Sequence, residues 1–558
     1  MLVAGLLSAP ALGGAQTAHS SSLAPAQVES LVLLGRVWGF VKYHHPRVTS
    51  GGLDWDAELR GVIPRVLSAP TTGAARDTID AWLARVGDPP PCTRCATEPV
   101  DPPLRADIDW IRDERALGAE LSARLQRIHF HRATAEDQRY VHNTRGAGNA
   151  DFSDESTYAD DALPPADLRL LAVFRLWNAL EYWFPYRHLM AADRVALLHE
   201  FVPLVWAASD VASYRTVVVR LATHARDTHV TVIPTTGYPP PGELSIPVQV
   251  RWVEGRFVVG GYTREREGTE SGLRPGDVLL AVDGAPVDSL ARVWTPYFAA
   301  SNDAALHRKL GAALTRGARA RGAILVERDG RRMTVDVDRV ATTPGGPPVR
   351  PWHDRSGDTF QRLTDDVAYV KLSTIAIGDV EGYVRDAATA RVLVIDIRGY
   401  PSAFVVFALG NLLAEGSPEF VKFTVGNMSN PGSFRWTAPG RLRGTGSFHG
   451  RLVILVDEAT QSQAEYTAMA FRVAPGATVV GSTTAGADGN VSILPLPGGL
   501  RVMFTGLGVY YPDGRPTQQI GIVPDLVVLP TIRGLRDGRD EVLEAGVSQA
   551  LGRPFRIP

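Results

Sequence analysis

Residues 451–476, RLVILVDEATQSQAEYTAMAFRVAPG, decide how the C-terminal half is read. The run LVILV is short, β-branched and unbroken by polar residues, as a strand buried on both faces requires. From Glu458 the composition turns helix-forming as far as Arg472, and Pro475-Gly476 stops it. Ser462 therefore falls at a helix N-terminus. A serine hydroxyl needs a base to become a nucleophile, and the free N–H groups of a helix start can stabilise an oxyanion. Serine is equally a preferred N-cap, and Ser462-x-x-Glu465 fits a capping box.

Working outward, VAYVKL at 367–372 and ARVLVIDIR at 390–398 read as two more buried strands. Strands alternating with helical sequence from about 355 onward indicate an α/β domain, with its chemistry at the C-terminal ends of the strands. Between about 240 and 340 the period changes to two, in short strands such as VQVRWV and RFVVGGY. The densest signal there is ESGLRPGDVLLAVDGAPV, 270–287, in which Gly272, Pro275-Gly276 and Asp283-Gly284 supply turns around the strand VLLAV. That layout resembles part of a PDZ domain, which implies capture of a peptide as an added strand. The alternative is a small β-module that only packs between its neighbours.

Upstream, residues 23 to about 235 are mainly helical and contain a duplicated element. Arg36, Trp38, Tyr43 and Pro46 recur, all at one offset, as Arg175, Trp177, Tyr182 and Pro185. Each copy sets aromatic residues at helical spacing and stops at a proline, the pattern of a packing element in a core. The pairs His44-His45 and His129/His131 have no obvious third ligand and no HExxH occurs, so no metal is expected. Cys92 and Cys95 form a lone CTRC, read as a small disulfide loop or two free thiols.

Composition narrows the class. The chain has 558 residues, 45% of them hydrophobic and 21% charged, enough for three or four packed domains. Its 58 basic and 60 acidic side chains nearly cancel, which argues against nucleic acid or an anionic membrane as partner. Only four of the basic residues are lysines: Lys42, Lys309, Lys371 and Lys422. MLVAGLLSAPALGGAQ reads as a leader over residues 1–22, which implies a periplasmic or secreted protein. No later apolar run is long enough to span a bilayer.

DEATQSQAEYTAMAF, 457–471, is similar to the nucleophile segment of the tail-specific (C-terminal processing) proteases and their tricorn relatives. IDIRGYPS at 395–402, VVGSTTAGADG at 479–489 and PDGRPTQQIGIVPD at 512–525 follow that family's order. The resemblance implies a multidomain α/β serine peptidase: a helical N-terminal region at 23–235, a PDZ-like module at 236–345 and a ββα-superhelix catalytic domain of crotonase/Clp shape at 346–558. It implies no cofactor, and a peptide or unfolded protein as substrate.

The resemblance also assigns roles. Ser462 would be the nucleophile. The tail-specific lysine falls on Ala487, and no lysine follows Lys422, so the expected base is the tricorn-like histidine, His229 in ARDTHVTVI. Thr228 stands where tricorn has a serine partner, and the tricorn glutamate becomes Gln518; these two are the expected orienting residues, with Asp227 or Asp488 as substitutes. The Gln463 N–H and the Ser402 N–H are the expected oxyanion donors. Asp396 and Arg398 read as a structural ion pair. The rival from another class is a catalytically inactive peptide- or ligand-binding protein on the same fold.

Overall fold

The computed structural model describes residues 22–92, 95–134, 138–190, 193–240, 242–341 and 354–557, so residues 1–21 of the expected leader lie outside the described residues. Among those described, no helix is long and apolar enough to cross a membrane. The two copies of the repeated element are helices, α1 (Pro25–His44) and α2 (Ala166–Trp183). They pack directly on each other because Gly39 has no side chain: a Cβ there would lie 1.8 Å from Asn178 Oδ1. Asn178 in turn donates from Nδ2 to the Gly35 carbonyl at 3.0 Å. Trp38, Phe40, Tyr43, Tyr182, Trp183 and Phe184 are at most 2% exposed, so the aromatic stripe is core. Each such side chain stabilises the fold by about 1.5–3 kcal/mol through burial.

His44 and His45 are held by the backbone, and His129 by the Glu98 carboxylate at 3.0 Å. His44 Nδ1 lies 2.7 Å from the Phe40 carbonyl and His45 Nε2 lies 3.0 Å from the Gly87 carbonyl. Cys92 and Cys95 are joined as a disulfide, with His131 Nδ1 at 3.3 Å from Cys92 Sγ.

After α2 the chain reaches a short strand, β1 (Thr231–Ile233), and then a β-rich module. Its strands are β2 (Val248–Val253), β3 (Arg256–Tyr262), β4 (Val278–Val282), β5 (Arg321–Arg328) and β6 (Arg331–Asp338). They form an antiparallel sheet in the order β6-β5-β4-β3-β2, which leaves β2 at an edge. Helix α3 (Asp303–Leu314) lies along that edge. Gly311 permits the approach, since a Cβ there would meet the Val250 carbonyl oxygen at 2.4 Å. The module has a core of its own around Val248, Val259, Leu279, Leu310 and Ile324.

The C-terminal sheet has the order β7-β8-β9-β10-β11-β14, from β7 (Phe360–Thr364), β8 (Val367–Lys371), β9 (Val392–Asp396), β10 (Arg451–Val456), β11 (Ala477–Gly481) and β14 (Leu526–Val527). All neighbours are parallel except β7 and β8. Period two sorts its side chains: Leu393, Ile395, Leu452 and Ile454 enter one core, while Val392, Val394, Val453 and Leu455 enter the other. Both faces are covered, which is why the strands read as unbroken apolar runs. Helix α4 (Gln463–Phe471) follows β10 and packs in the first core, and α5 (Glu541–Leu551) packs in the second.

One further sheet positions the site. The hairpin β12 (Val491–Leu496) and β13 (Leu500–Thr505) accepts β1 as a third antiparallel strand, with Thr231 opposite Met503 and Ile233 opposite Arg501. Leu494, Leu500 and Val502 thereby join the core of the helical region. A segment from the middle of the chain is thus stitched to the C-terminal domain.

Candidate active site

Ser462 follows β10 and immediately precedes α4, as the composition predicts, but it is no capping residue. Its side chain makes no capping bond. Glu465 instead directs its carboxylate to the Thr484 hydroxyl and to the Gly486 and Ala487 N–H groups, at 2.9 and 3.0 Å for the amides. Ser462 has φ 58° and ψ −127°, a conformation that ordinary residues avoid. Non-glycine residues held there cost on the order of 1–3 kcal/mol and cluster at functional sites. The strain turns a half-buried serine out of the helix axis at a strand-to-helix corner.

The floor beneath Ser462 is the segment 484–488. The Ser462 N–H donates to the Ala487 carbonyl at 2.8 Å. Two residues earlier, the Ala485 carbonyl accepts from the Thr228 hydroxyl at 3.0 Å, so the same segment fixes the chain on either side of the site. A cleft of about 780 Å³ opens over Ser462 and Gln463 and is walled by Phe404, Phe423, Tyr466 and Asp488. Phe404 stacks on Tyr466 with centroids 6.0 Å apart. The loop Thr144 to Asn149, from the helical region, forms the facing wall.

His229 arrives by way of β1. Continuing the register past Thr231–Met503 brings it opposite Thr505, and its Nδ1 lies 2.8 Å from the Thr505 hydroxyl. Nε2 is buried and has no hydrogen-bond partner among the described residues. With Nδ1 donating to Thr505, the lone pair sits on Nε2, the arrangement a general base requires. Burial pushes the His229 pKa down from the ordinary imidazole value; nearby Asp227 opposes this, while Lys309 and Arg308 reinforce it. Asp227 accepts from the His229 N–H at 3.1 Å and from the Thr505 N–H at 2.7 Å, and its Oδ1 is 3.9 Å from Nδ1.

Three expected roles are corrected. The Thr228 hydroxyl is committed to the Ala485 carbonyl and to the Ser301 N–H at 2.9 Å, so it cannot orient the imidazole. Gln518 Nε2 reaches Asp227 at 3.4 Å and Ser301 at 3.3 Å, which puts it one residue removed from His229. The Ser402 N–H donates to the Leu372 carbonyl at 2.9 Å and is no free oxyanion donor. The Gln463 N–H, at the first position of α4, has no intrahelical acceptor. Of the two substitutes, Asp227 stands at the histidine. Asp488 stands in the serine cleft, with Oδ2 buried and unpartnered among the described residues. Burial, with Glu465 adding to it, pushes the Asp488 carboxyl well above the usual range. Thr505 was not anticipated; only the pairing of β1 with β13 discloses it.

Asp396 and Arg398 form the expected ion pair at 2.6 Å, shared with Asp540 at 2.7 Å. All three are buried, and Tyr369 donates to Asp396 at 2.9 Å. This network anchors the end of β9 and lies outside the set of residues lining the cleft.

Comparison with known proteins agrees with this architecture. Residues 366–528 match the model of peptidase family S41. Among solved structures, mature CPAF is 15% identical, with 72% of this chain and 100% of that chain covered and a TM-score of 0.52. Mature CPAF complexed with lactacystin is 16% identical, with 68% and 96% covered and a TM-score of 0.50. The photosystem II D1 C-terminal processing protease is 16% identical, with 66% and 97% covered and a TM-score of 0.40. No curated protein matches the sequence.

Proposed function

From the match of residues 366–528 to the model of peptidase family S41, we propose that Ser462 and His229 are the catalytic pair of a serine peptidase that works by acyl-enzyme chemistry. The single observation that carries this reading is the strained backbone of Ser462 at the floor of the cleft. A structural serine has no reason to hold φ 58° without capping its helix.

In this reading Ser462 Oγ attacks the scissile carbonyl carbon and passes its proton to His229 Nε2. The carbonyl oxygen becomes an oxyanion that accepts from the Gln463 N–H. His229 then gives the proton to the departing amine as the C–N bond breaks, leaving an acyl ester on Ser462. Water, deprotonated by the same Nε2, hydrolyses the ester. Thr505 holds the tautomer, and Asp227 supplies the negative charge that favours the transient imidazolium. Gln518 acts through Asp227 and Ser301. The orienting role is here divided between the Thr505 hydroxyl and Asp227, an acid in the turn that carries the histidine itself.

The substrate is a peptide or unfolded protein tail. The aromatic walls of the cleft suit apolar side chains, and the β-module, with edge strand β2 flanked by α3, supports the PDZ-like reading of residues 236–345 as a docking unit. The superhelical catalytic domain at 346–558 and the export of the protein belong to the same proposal; the Cys92–Cys95 disulfide suits an oxidising compartment. Incubation with a denatured protein, followed by mass spectrometry of the products, tests the reading: fragments should appear with wild type and not with Ser462→Ala. Absence of fragments with folded wild-type protein across several unfolded substrates would return the chain to the binding class.

A further inference from the structure

We propose that helix α3 of the β-module is a clamp for the catalytic segments, in which Arg308 and Lys309 are positioning residues for Ser462 and His229. This rests on the catalytic pair proposed above. The two side chains are adjacent in sequence and diverge to the two halves of the site. Arg308 reaches the segment that leads into Ser462, at 2.5 Å to Gln461 Oε1 and 3.4 Å to the Ala459 carbonyl. Lys309 reaches the segment carrying His229, donating to the Thr228 carbonyl at 2.7 Å and the Val230 carbonyl at 3.5 Å, and to Ala299 at 2.6 Å.

The start of the helix holds the third segment. Asn302, which caps α3, donates from Nδ2 to the Thr484 carbonyl at 2.9 Å, and Ser301 exchanges two hydrogen bonds with Thr228, each of 2.9 Å. The same module's edge strand adds Arg251, which binds Glu458 at 2.6 Å. The segments that carry His229 and Ser462 and the floor beneath the serine, 227–230, 458–462 and 484–488, are therefore each gripped from the module. Arg308 and Lys309, like His229, are absent from the residues that line the cleft, and the contacts of the two cations named above are all to the protein itself.

Lys309 is no alternative base. Its three ammonium protons face three backbone carbonyls, which leaves no lone pair directed at Ser462. Its influence is steric and electrostatic: it fixes the backbone on both sides of His229 and sets a positive charge beside the imidazole. The charged groups facing His229 are Asp227 on its own segment and Lys309 and Arg308 on α3. Removing one cation leaves Asp227 less opposed, so the histidine should titrate at a higher pH.

The test compares full-length wild type, Arg308→Met and Lys309→Met, variants that keep an unbranched apolar stem and remove the donors. Two readouts are taken: the second-order rate of Ser462 labelling by a fluorophosphonate as a function of pH, and amide hydrogen exchange by segment. Misplacement of about 1 Å can lower such a rate on the order of 10²-fold. Lys309→Met should lose rate, move the labelling midpoint to higher pH and accelerate exchange at 228–231. Arg308→Met should lose rate and accelerate exchange at 459–462 instead. Wild-type labelling with an unchanged midpoint in both variants would overturn the proposal, as would a uniform loss of protection across the module, which marks a merely structural role. If wild type itself is unlabelled while the exchange pattern splits by segment, the clamp stands and the catalytic pair falls.

Discussion

Ser462 donates its N–H to the Ala487 carbonyl, 2.8 Å away, at the position where the tail-specific resemblance would place a lysine. Ala487 is fully buried, and its own N–H is held by Glu465. A longer side chain at 487 would therefore start from a fully buried position whose backbone is already committed. Ala487→Lys should not restore a serine–lysine pair. It should destabilise the fold by several kcal/mol, from overpacking plus an unpaired buried charge, as measured by urea unfolding, and should not raise activity.

The strain at Ser462 separates stability from function. Ser462→Gly relieves the positive φ and should stabilise the protein by about 1 kcal/mol while abolishing activity. Ser462→Ala abolishes activity equally but keeps the strain. Equal unfolding free energies for the two variants would show that the backbone conformation costs nothing.

Activity should depend on neutral His229. Its folded pKa is lowered by burial, so kcat/KM should be flat above the ordinary value of about 6.5 and fall only as the pH drops below it. The same sign governs stability: a histidine buried neutral favours the folded state above its unfolded pKa, and that contribution is lost as the pH falls. Thr505→Val removes the Nδ1 partner without changing shape. It should lower kcat about fivefold, in line with about 1 kcal/mol for one hydrogen bond, with KM little changed.

How much of this was legible before the structure divides by physical range. The buried strands 367–371, 392–396 and 451–456 and the serine at the helix start are local patterns, and each lies where its hydrophobic run and helix stop place it. The duplicated helices were legible for the same reason. Of the partners of His229, Asp227 was legible as one of two alternatives, and Thr505 was not. Thr228 and Gln518 were read as orienting residues from their place beside motifs, whereas the imidazole is met by Thr505, 276 residues away, through the β1–β13 register. A register is set by long-range pairing, which a single sequence does not display. Ser402 failed for a simpler reason: its N–H had a nearer acceptor in Leu372.

Asp488 offers a prediction on stability. Its carboxyl is pushed well above the usual range, so the folded state favours the protonated form and loses that advantage as the pH rises past the unfolded pKa of about 3.9. Asp488→Asn keeps the shape and removes the titration. The variant should gain stability relative to wild type on going from pH 4 to pH 8, as measured by unfolding free energies at the two values. A constant difference between the two proteins would show that Asp488 is charged in the fold.

The most direct measurement is fluorophosphonate labelling of the intact protein with peptide mapping of the adduct, in wild type, Ser462→Ala and His229→Ala. Adduct on Ser462 in wild type, and on neither variant, is the expected result. Adduct on another serine, or undiminished labelling of Ser462 in His229→Ala, would contradict the pairing of these two residues.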